Sequence, residues 1–437
     1  MNHLDRRNFL QITGAGLAAT SLPKETYAAP PGDSQASEKP NVVLIISDDQ
    51  GFPDYGFMGH PQIQTPNIDR LASQSVVFTR GYVTTALCCP SLATLLTGLY
   101  PHQNKITGND PVEKEKRPLW YEAFERSPRF PAMLADAGYV SFQSGKYWMG
   151  HYSRAGFTDG MTTQGRHGDD GLVIGRSTMQ PIYEFIDQAQ KDKNPFFVWY
   201  APFMPHLPHT PPKDLEEKYK SAGDNAQYYA MCEWFDQTCG QLLDYLDQRN
   251  LSENTVIIYL ADNGWPQPYK GSPYELGVRT PIMIRWPGKY KPRRDDENLA
   301  NNIDIAPTIL AACGIQPPPE MPGVNLLDSS SVAARDIIFL ENFAHDMADL
   351  NDVAKSLRAR SCIQGDWKLI VWQEKQPELR TSGKAKPEAD IELFHLKDDH
   401  FEKTNLAEKY PDQVAAMKKR IDEWWNPMDE TANGRQD

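Results

Sequence analysis

Two pairs of oxygen-bearing side chains stand directly behind apolar runs. Asp48-Asp49 follows Asn41-Val-Val-Leu-Ile-Ile46, and Asp262-Asn263 follows Val256-Ile-Ile-Tyr-Leu260. Runs rich in β-branched residues read as strands buried on both faces. At the carboxyl ends of such strands, open α/β sheets build their sites. If the two strands are parallel neighbours, three carboxylates and an amide oxygen converge on one sheet edge. Carboxylates gathered that closely resist ionisation unless a cation joins them. An all-oxygen donor set selects calcium or magnesium over zinc. Asp-Asn-Gly alone is ordinary turn chemistry, so the metal reading rests on both pairs together.

A second constellation is Cys88-Cys89-Pro90-Ser91-Leu92, leading to Thr97-Gly98. Pro90 suits a first helical turn, so a helix is expected over Ser91–Leu96 with Cys88 just ahead of it. Oriented N–H groups there lower a thiol pKa and bind anions. A free cysteine is also commonly a buried structural residue, and both readings stand. Gly145-Lys146, Lys270-Gly271 and Gly277-Val278-Arg279-Thr280-Pro281 complete the set.

The elements that must position these residues alternate along the chain. Thr65-Pro66 caps a helix running to Ser73, and Val76–Phe78 is a short strand. Phe130–Ala137 is helical to Gly138, and Tyr139–Gln143 is a strand. Helices follow over Pro181–Gln190 and Gln227–Gln248, with strands over Pro195–Tyr200, Thr255–Leu260 and Pro281–Arg285. This order predicts an α/β fold, a large mostly parallel mixed sheet flanked by helices on both faces, over 40–325. After residue 325 the texture changes to short strands, Asp336–Leu340, Asp366–Trp372 and Ile391–Phe394, then a helix over Pro411–Trp425. A smaller C-terminal α+β subdomain with an antiparallel sheet is expected over 326–437. Glu374–Ala389 reads as a charged loop.

The first residues read as an address. Arg6-Arg7-Asn8-Phe9-Leu10, a mild apolar stretch and small residues ending at Ala29 resemble a twin-arginine export signal over 1–29. Residues 30–39 then form a linker, and an exported, periplasmic or extracellular location follows. With 58 acidic against 45 basic side chains the net charge is −13, which argues against nucleic acid as a partner. No apolar run reaches the roughly 18 residues of a spanning helix, so no transmembrane segment is expected. Six cysteines in 437 residues are too few for a disulfide framework.

Taken in order, these segments resemble the type I formylglycine-dependent sulfatases of the alkaline-phosphatase superfamily. The matches are Asp48-Asp49-Gln50-Gly51, Pro66-Asn67-Ile68-Asp69-Arg70, and Cys88-x-Pro90-Ser91 with Leu95-Leu96-Thr97-Gly98. Tyr100-Pro101-His102, Gly145-Lys146, Pro205-His206-x-Pro208, Asp262-Asn263-Gly264, Lys270-Gly271 and Glu392-Leu393-Phe394 extend the set.

The resemblance implies that Cys88 is oxidised to formylglycine by a formylglycine-generating or anaerobic maturation enzyme. One hydroxyl of the hydrated aldehyde attacks sulfur and expels the alcohol. Loss of the second hydroxyl's proton then ejects sulfate, a release step that serine lacks. It implies Asp48, Asp49, Asp262 and Asn263, with residue 88, as ligands of a calcium ion, magnesium being possible. Lys146 and Lys270 match the lysines that hold sulfate oxygens. His206 matches the proton donor to the leaving oxygen, with His209 a nearby rival.

Two positions depart from the family pattern. Leu92 stands where an arginine supports the aldehyde and its maturation; its lost charge is expected to be compensated by another cation, such as Arg279, or simply tolerated. Trp148 stands where a histidine contacts the hydrate, and His151, His167 and His102 are the candidates to replace it. Loops 104–128 and 152–176 are expected to shape the substrate pocket. The expected activity is hydrolysis of a sulfate ester on a carbohydrate or other sulfated small molecule. A phosphonate or phosphodiester hydrolase of the same superfamily is the alternative enzyme. A degenerate sulfatase fold that binds sulfated glycans is the non-catalytic alternative.

Overall fold

The computed structural model describes residues 39–164, 173–265, 269–373 and 389–427. The expected export segment, the linker up to residue 38, His167 and the charged stretch 374–388 lie outside the described residues. The longer elements of the first part are β1 (Asn41–Ser47), α1 (Pro66–Ser73), β2 (Val76–Phe78), α2 (Cys88–Thr97) and α3 (Phe130–Asp136). They are followed by β3 (Val140–Gly145), β4 (Asp159–Gly160), α4 (Gln180–Lys191), β5 (Phe196–Ala201) and α5 (Ala226–Gln248). Then come β6 (Thr255–Ala261), β7 (Ile282–Arg285), β8 (Arg293–Asp295) and α6 (Ile305–Ala312).

The strands form one sheet in the order β8-β2-β7-β6-β1-β5-β3-β4. β1 sits between β5 and β6 and runs parallel to both. β7 is antiparallel to both β2 and β6, which makes the sheet mixed. The continuous apolar character of β1 has a simple cause, because successive side chains point to opposite faces. Val43 and Ile45 pack with Ile68 and Leu71 of α1, Ile182 of α4, and Phe235 and Leu242 of α5. Val42, Leu44 and Ile46 pack with Leu92 and Leu96 of α2, Phe130 of α3 and Ile309 of α6. The α1 cap differs from expectation. Thr65 occupies the N-cap without a side-chain bond, and Asp236 of α5 accepts instead from the Asn67 and Ile68 N–H groups at 3.0 and 2.7 Å.

The second part holds β9 (Ile337–Phe343), β10 (Leu357–Gln364), β11 (Trp367–Trp372), β12 (Ile391–His395) and α7 (Pro411–Trp424). The four strands form an antiparallel sheet in chain order. β10 was not anticipated, because Arg358, Arg360 and Ser361 disguise its alternation. Arg360 is nonetheless buried, since its guanidinium donates to Gln373 Oε1 at 2.7 Å, Asp422 Oδ1 at 2.9 Å and the Trp425 carbonyl. One face of this sheet packs Leu369 and Leu393 on Met417 and Ile421 of α7. The other packs Ile338, Leu340 and Ile370 on Tyr82, Val83 and Val278 of the first part. Trp424 stacks on Phe339, with ring centroids 4.6 Å apart, and Trp425 on His102 at 4.4 Å, so the tryptophan pair serves packing. No helix among the described residues is long and apolar enough to cross a membrane.

A buried ionic staple ties the second sheet to the short helix Glu275–Val278 of the first part. Lys368 of β11, fully buried, lies 3.1 Å from Glu275 and 2.8 Å from Glu402, and the Glu402 carboxylate accepts from the Glu275 N–H. Removing one member of a buried charge set leaves the others uncompensated. Lys368→Met is therefore expected to destabilise the protein by about 3–5 kcal/mol, read as a lower midpoint of urea unfolding. An unchanged midpoint would show that the two carboxylates are neutralised without the lysine.

Candidate active site

The ends of four parallel strands are knitted together before any side chain contributes. The Asp48 N–H donates to the Met204 carbonyl and the Asp262 N–H to the Ser47 carbonyl, both at 2.9 Å. The Lys146 N–H donates to the Ala201 carbonyl at 2.7 Å. β1, β3, β5 and β6 thus deliver Asp48-Asp49, Lys146, the His206 segment and Asp262-Asn263 to one edge. Asp49 adopts a left-handed backbone, φ 62°, a conformation that aspartate tolerates better than most residues. Its side chain is thereby turned from the strand direction into the cluster.

The chemistry-bearing residues form one linked network. Ligand atoms of Asp48, Asp49, Cys88 and His206 all lie within 4.8 Å of one another. Cys88 Sγ is 4.0 Å from Asp49 Oδ1. Asn263 Nδ2 donates to Asp49 Oδ1 at 2.7 Å, and Asp262 Oδ1 accepts from the Asp49 N–H at 3.1 Å. Lys146 Nζ lies 2.5 Å from Asp48 Oδ1 and 3.3 Å from Asp262 Oδ2. Lys270 Nζ reaches Asp49 Oδ2 at 2.5 Å and His206 Nε2 at 3.2 Å. Asp48, Asp49, Cys88, Asp262, Asn263 and Lys146 are buried, and His206 is partly open to solvent.

The electrostatics follow from that burial. Burial pushes the Asp262 carboxyl up to about 7, with Lys146 opposing and Asp48 and Asp49 adding. Burial acts on Asp49 too, but Lys270, His206 and Lys146 outweigh it and hold that carboxyl below the usual range. Burial lowers His206, against the pull of Asp48 and Asp49. Burial likewise pushes the Cys88 thiol up to about 12, and Lys146 and Lys270 only partly offset this. The unmodified sulfur is therefore a neutral thiol near pH 7, contrary to the lowering that a helix N-terminus would bring.

The donor set fits a hard cation. Asp48 Oδ2 and Asn263 Oδ1 are buried acceptors with no hydrogen-bond donor, a costly state that a metal would relieve. Three carboxylates also face only two ammonium groups. A divalent cation would turn a site that repels anions into one that attracts them.

The helix carrying Cys88 begins one turn earlier than expected. Cys88 is its first residue and Leu87 its N-cap. Leu92 is completely buried in the apolar cluster of Leu95, Leu96 and Phe130. Arg279 does not stand in for a cation at position 92. Its guanidinium lies over the Phe52 ring at 4.5 Å, 3.6 Å from Glu275, and donates to the Thr79 carbonyl at 3.0 Å. Trp148 is buried with φ 76°. His151 caps the short helix Tyr152–Ala155 and pairs with Ser153 Oγ at 2.8 Å. His102 is held by Glu341 and Trp425. Neither histidine joins the cluster.

His209 sits outside the network, 5.6 Å from the Tyr228 ring and 6.0 Å from that of Trp265. Two residues missed by sequence reasoning reach the site from the loops expected to shape it. Arg176 feels the charge of Asp48 and donates to the Phe203 carbonyl at 2.5 Å and Thr210 Oγ1 at 2.8 Å. Asn109 accepts from the Cys89 N–H at 2.9 Å. An isolated asparagine or arginine in a loop carries no sequence signal that would have singled it out.

A family model described as Sulfatase matches residues 40–315. One described as N-sulphoglucosamine sulphohydrolase, C-terminal, matches 269–426. The chain is 27% identical over 377 residues to the N-acetylgalactosamine-6-sulfatase of Canis lupus familiaris, covering 74% of this chain and 69% of the relative. It is 25% identical over 503 residues to the N-acetylgalactosamine-6-O-sulfatase of Bacteroides thetaiotaomicron, covering 89% and 94%. The solved structure of BT4656 in complex with its substrate D-Glucosamine-2-N, 6-O-disulfate aligns with TM-score 0.70 at 19% identity, over 91% of this chain and all of the other. PsFucS1 sulfatase from Pseudoalteromonas sp. aligns with TM-score 0.69 at 21% identity, over 91% and 92%. At these identities the structural likeness speaks to the fold.

Two outcomes follow from the site. Calcium at a hundred times its dissociation constant should stabilise the protein by about 2.7 kcal/mol, seen as a higher melting temperature that a chelator reverses. Asp262→Asn should abolish the shift, and a response to zinc alone would contradict an all-oxygen site. Leu92→Arg should lower the unfolding free energy by about 3 kcal/mol or more, because it buries an unpaired guanidinium.

Proposed function

The chain belongs to the sulfatase family, and from that premise we propose that it hydrolyses sulfate esters carried by a glycan. The observation that carries the reading is the convergence of Asp48, Asp49, Asp262, Asn263, Lys146, His206 and Lys270 around Cys88 at one sheet edge. The relatives named for acetylgalactosamine sulfates support the glycan.

Asp48, Asp49, Asp262 and Asn263 would hold a calcium ion, and residue 88 would complete the ligands. Calcium would supply positive charge to the sulfate oxygens, and formylglycine made from Cys88 an oxygen nucleophile with a built-in release step. The remaining work falls to side chains already in place. Lys146 and Lys270, each anchored by a site carboxylate, offer N–H donors toward oxygens on which charge gathers. His206 holds a proton at Nδ1, donated to the Leu207 carbonyl at 2.5 Å, and its Nε2 faces Lys270 and Asp49. That nitrogen would first have to take up a proton, giving an imidazolium beside Asp49 Oδ2 at 3.4 Å, and could then pass it to the departing alcohol oxygen. The Phe203 ring lies 4.3 Å from that of His206 and 5.5 Å from Lys146 Nζ, with the Arg176 guanidinium 6.0 Å from it.

The buried Leu92 and Trp148 replace polar partners by apolar walls. The positive charge around residue 88 then comes from Lys146 and Lys270, whose fields reach its sulfur. Residues 1–29 are proposed as the export signal, with 40–325 as the catalytic domain and 326–437 as the C-terminal subdomain.

Cys88→Ala should abolish sulfate release while leaving the calcium-induced rise in melting temperature largely intact, because four of the five ligands remain. Cys89→Ser should keep most activity. The mass of the peptide bearing Cys88 should show aldehyde oxygen in place of the thiol. Active protein with an unmodified thiol at 88, or an inactive Cys89→Ser beside an active Cys88→Ala, would sink this reading. Faster turnover of an aryl phosphodiester than of an aryl sulfate would move the substrate class to phosphorus.

A further inference from the structure

α2 lacks an ordinary N-terminal cap. Its N-cap residue, Leu87, has no side-chain acceptor, Pro90 has no N–H, and the Ser91 N–H is taken by the Leu87 carbonyl at 3.0 Å. The Cys89 N–H is met from another segment, by Asn109 Oδ1 at 2.9 Å. That contact fixes a chain of proton assignments. A backbone N–H can only donate, so the Asn109 oxygen faces Cys89 and its amide nitrogen faces away. Asn109 Nδ2 then donates to His345 Nε2 at 3.3 Å. His345 Nε2 must accept, so the ring proton sits on Nδ1, which donates to Asp346 Oδ1 at 2.6 Å. Every link is polarised in one direction, from the first turn of α2 to a carboxylate, and such chains reinforce one another.

The backbone holds the relay in register. Asp110–Pro111 pairs in parallel with Asp346–Met347, and the Asn109 N–H donates to the His345 carbonyl at 2.8 Å. An ion pair from Arg117 to Asp110 fixes the near side. His345 stands two residues past β9, so the relay runs from the segment that follows the C-terminal strand to within one residue of Cys88.

We propose that His345, acting through Asn109, is a positioning residue that sets the orientation of residue 88 at the start of α2. This rests on Cys88 being the reacting position. His345 and Asp346 make Asn109 present its oxygen rather than its amide nitrogen. Without them the amide is free to turn, and the Cys89 N–H loses its acceptor. The turn that carries residue 88 then loosens, and the nucleophile drifts from its line toward sulfur.

The test compares His345→Leu, which cannot accept a hydrogen bond, with His345→Gln, whose side-chain oxygen can. The first readout is amide hydrogen exchange at Cys89, measured on protein that retains the Cys88 thiol and so independent of turnover. It should quicken by about tenfold or more in His345→Leu and return toward wild type in His345→Gln. The second is kcat for an aryl sulfate per molecule converted at Cys88. It should fall between about ten- and a hundredfold in His345→Leu with KM little changed, and Gln should restore most of it. Asn109→Ala combined with His345→Leu should lose no more than Asn109→Ala alone. Equal losses in Leu and Gln, or Cys89 exchange within about twofold of wild type in His345→Leu, would overturn the proposal. If Cys88→Ala kept wild-type turnover, the reading of Cys88 as nucleophile would fail, while exchange at Cys89 would still judge the relay.

Discussion

Repulsion among the carboxylates at the ends of β1 and β6 is the constraint around which the site is arranged. Two buried parallel strands, in register from Asn41 against Thr255 to Ser47 against Ala261, bring Asp48 and Asp49 beside Asp262 and Asn263. In a place closed to water, that cluster needs positive charge. Lys146 and Lys270 supply part of it. The unmatched Asp48 Oδ2 and Asn263 Oδ1 mark where more is called for. Cations that neutralise a cluster of this kind are also what an anionic substrate meets on arrival. The balance that lets the strands end in acids is thus the one that suits the site to a sulfate oxyanion.

The second sheet takes part in that balance. Lys368 of β11 grips Glu275, which stands five residues past Lys270. Asn342 at the end of β9 donates to the Gly271 carbonyl at 2.9 Å, next to Lys270 itself. On the other side of the site, the segment after β9 reaches Asn109 and, through it, the first turn of α2. The C-terminal sheet therefore braces both the lysine that faces Asp49 and the helix that presents Cys88. This gives the small subdomain a reason to be packed against the large one rather than tethered to it.

The departures at Leu92 and Trp148 have a common structural meaning. Both side chains are buried in the apolar cluster under the site, where a guanidinium or imidazole would need partners that this packing does not provide. Polar support for the first turn of α2 comes from Asn109, which accepts from the Cys89 N–H, at the backbone instead of at the side chain.

Much of this was legible in the residues. The doubly buried strands announced themselves as unbroken apolar runs, and the acids behind them marked the functional edge, because strand ends are where a buried backbone meets solvent. Asp48, Asp49, Cys88, Asp262 and Asn263 were singled out by type and position, and Lys146, His206 and Lys270 took their roles from the family resemblance; all eight lie in one network. What sequence could not decide was anything that depends on a distant partner. β10 hid behind Arg358 and Arg360, since a buried arginine looks polar until Asp422 and the Trp425 carbonyl are seen to receive it. The fate of Arg279 was equally hidden, because only packing brought Phe52 and Glu275 to it. Asn109 and His345, 236 positions apart, meet through backbone pairing that no local pattern encodes. Local chemistry follows from residue type and periodicity, and so the sequence alone determined the strands and the sheet edge where the acids gather. Hydrogen-bond and charge partnerships between remote segments depend on how the two sheets dock, and only the tertiary structure decided those.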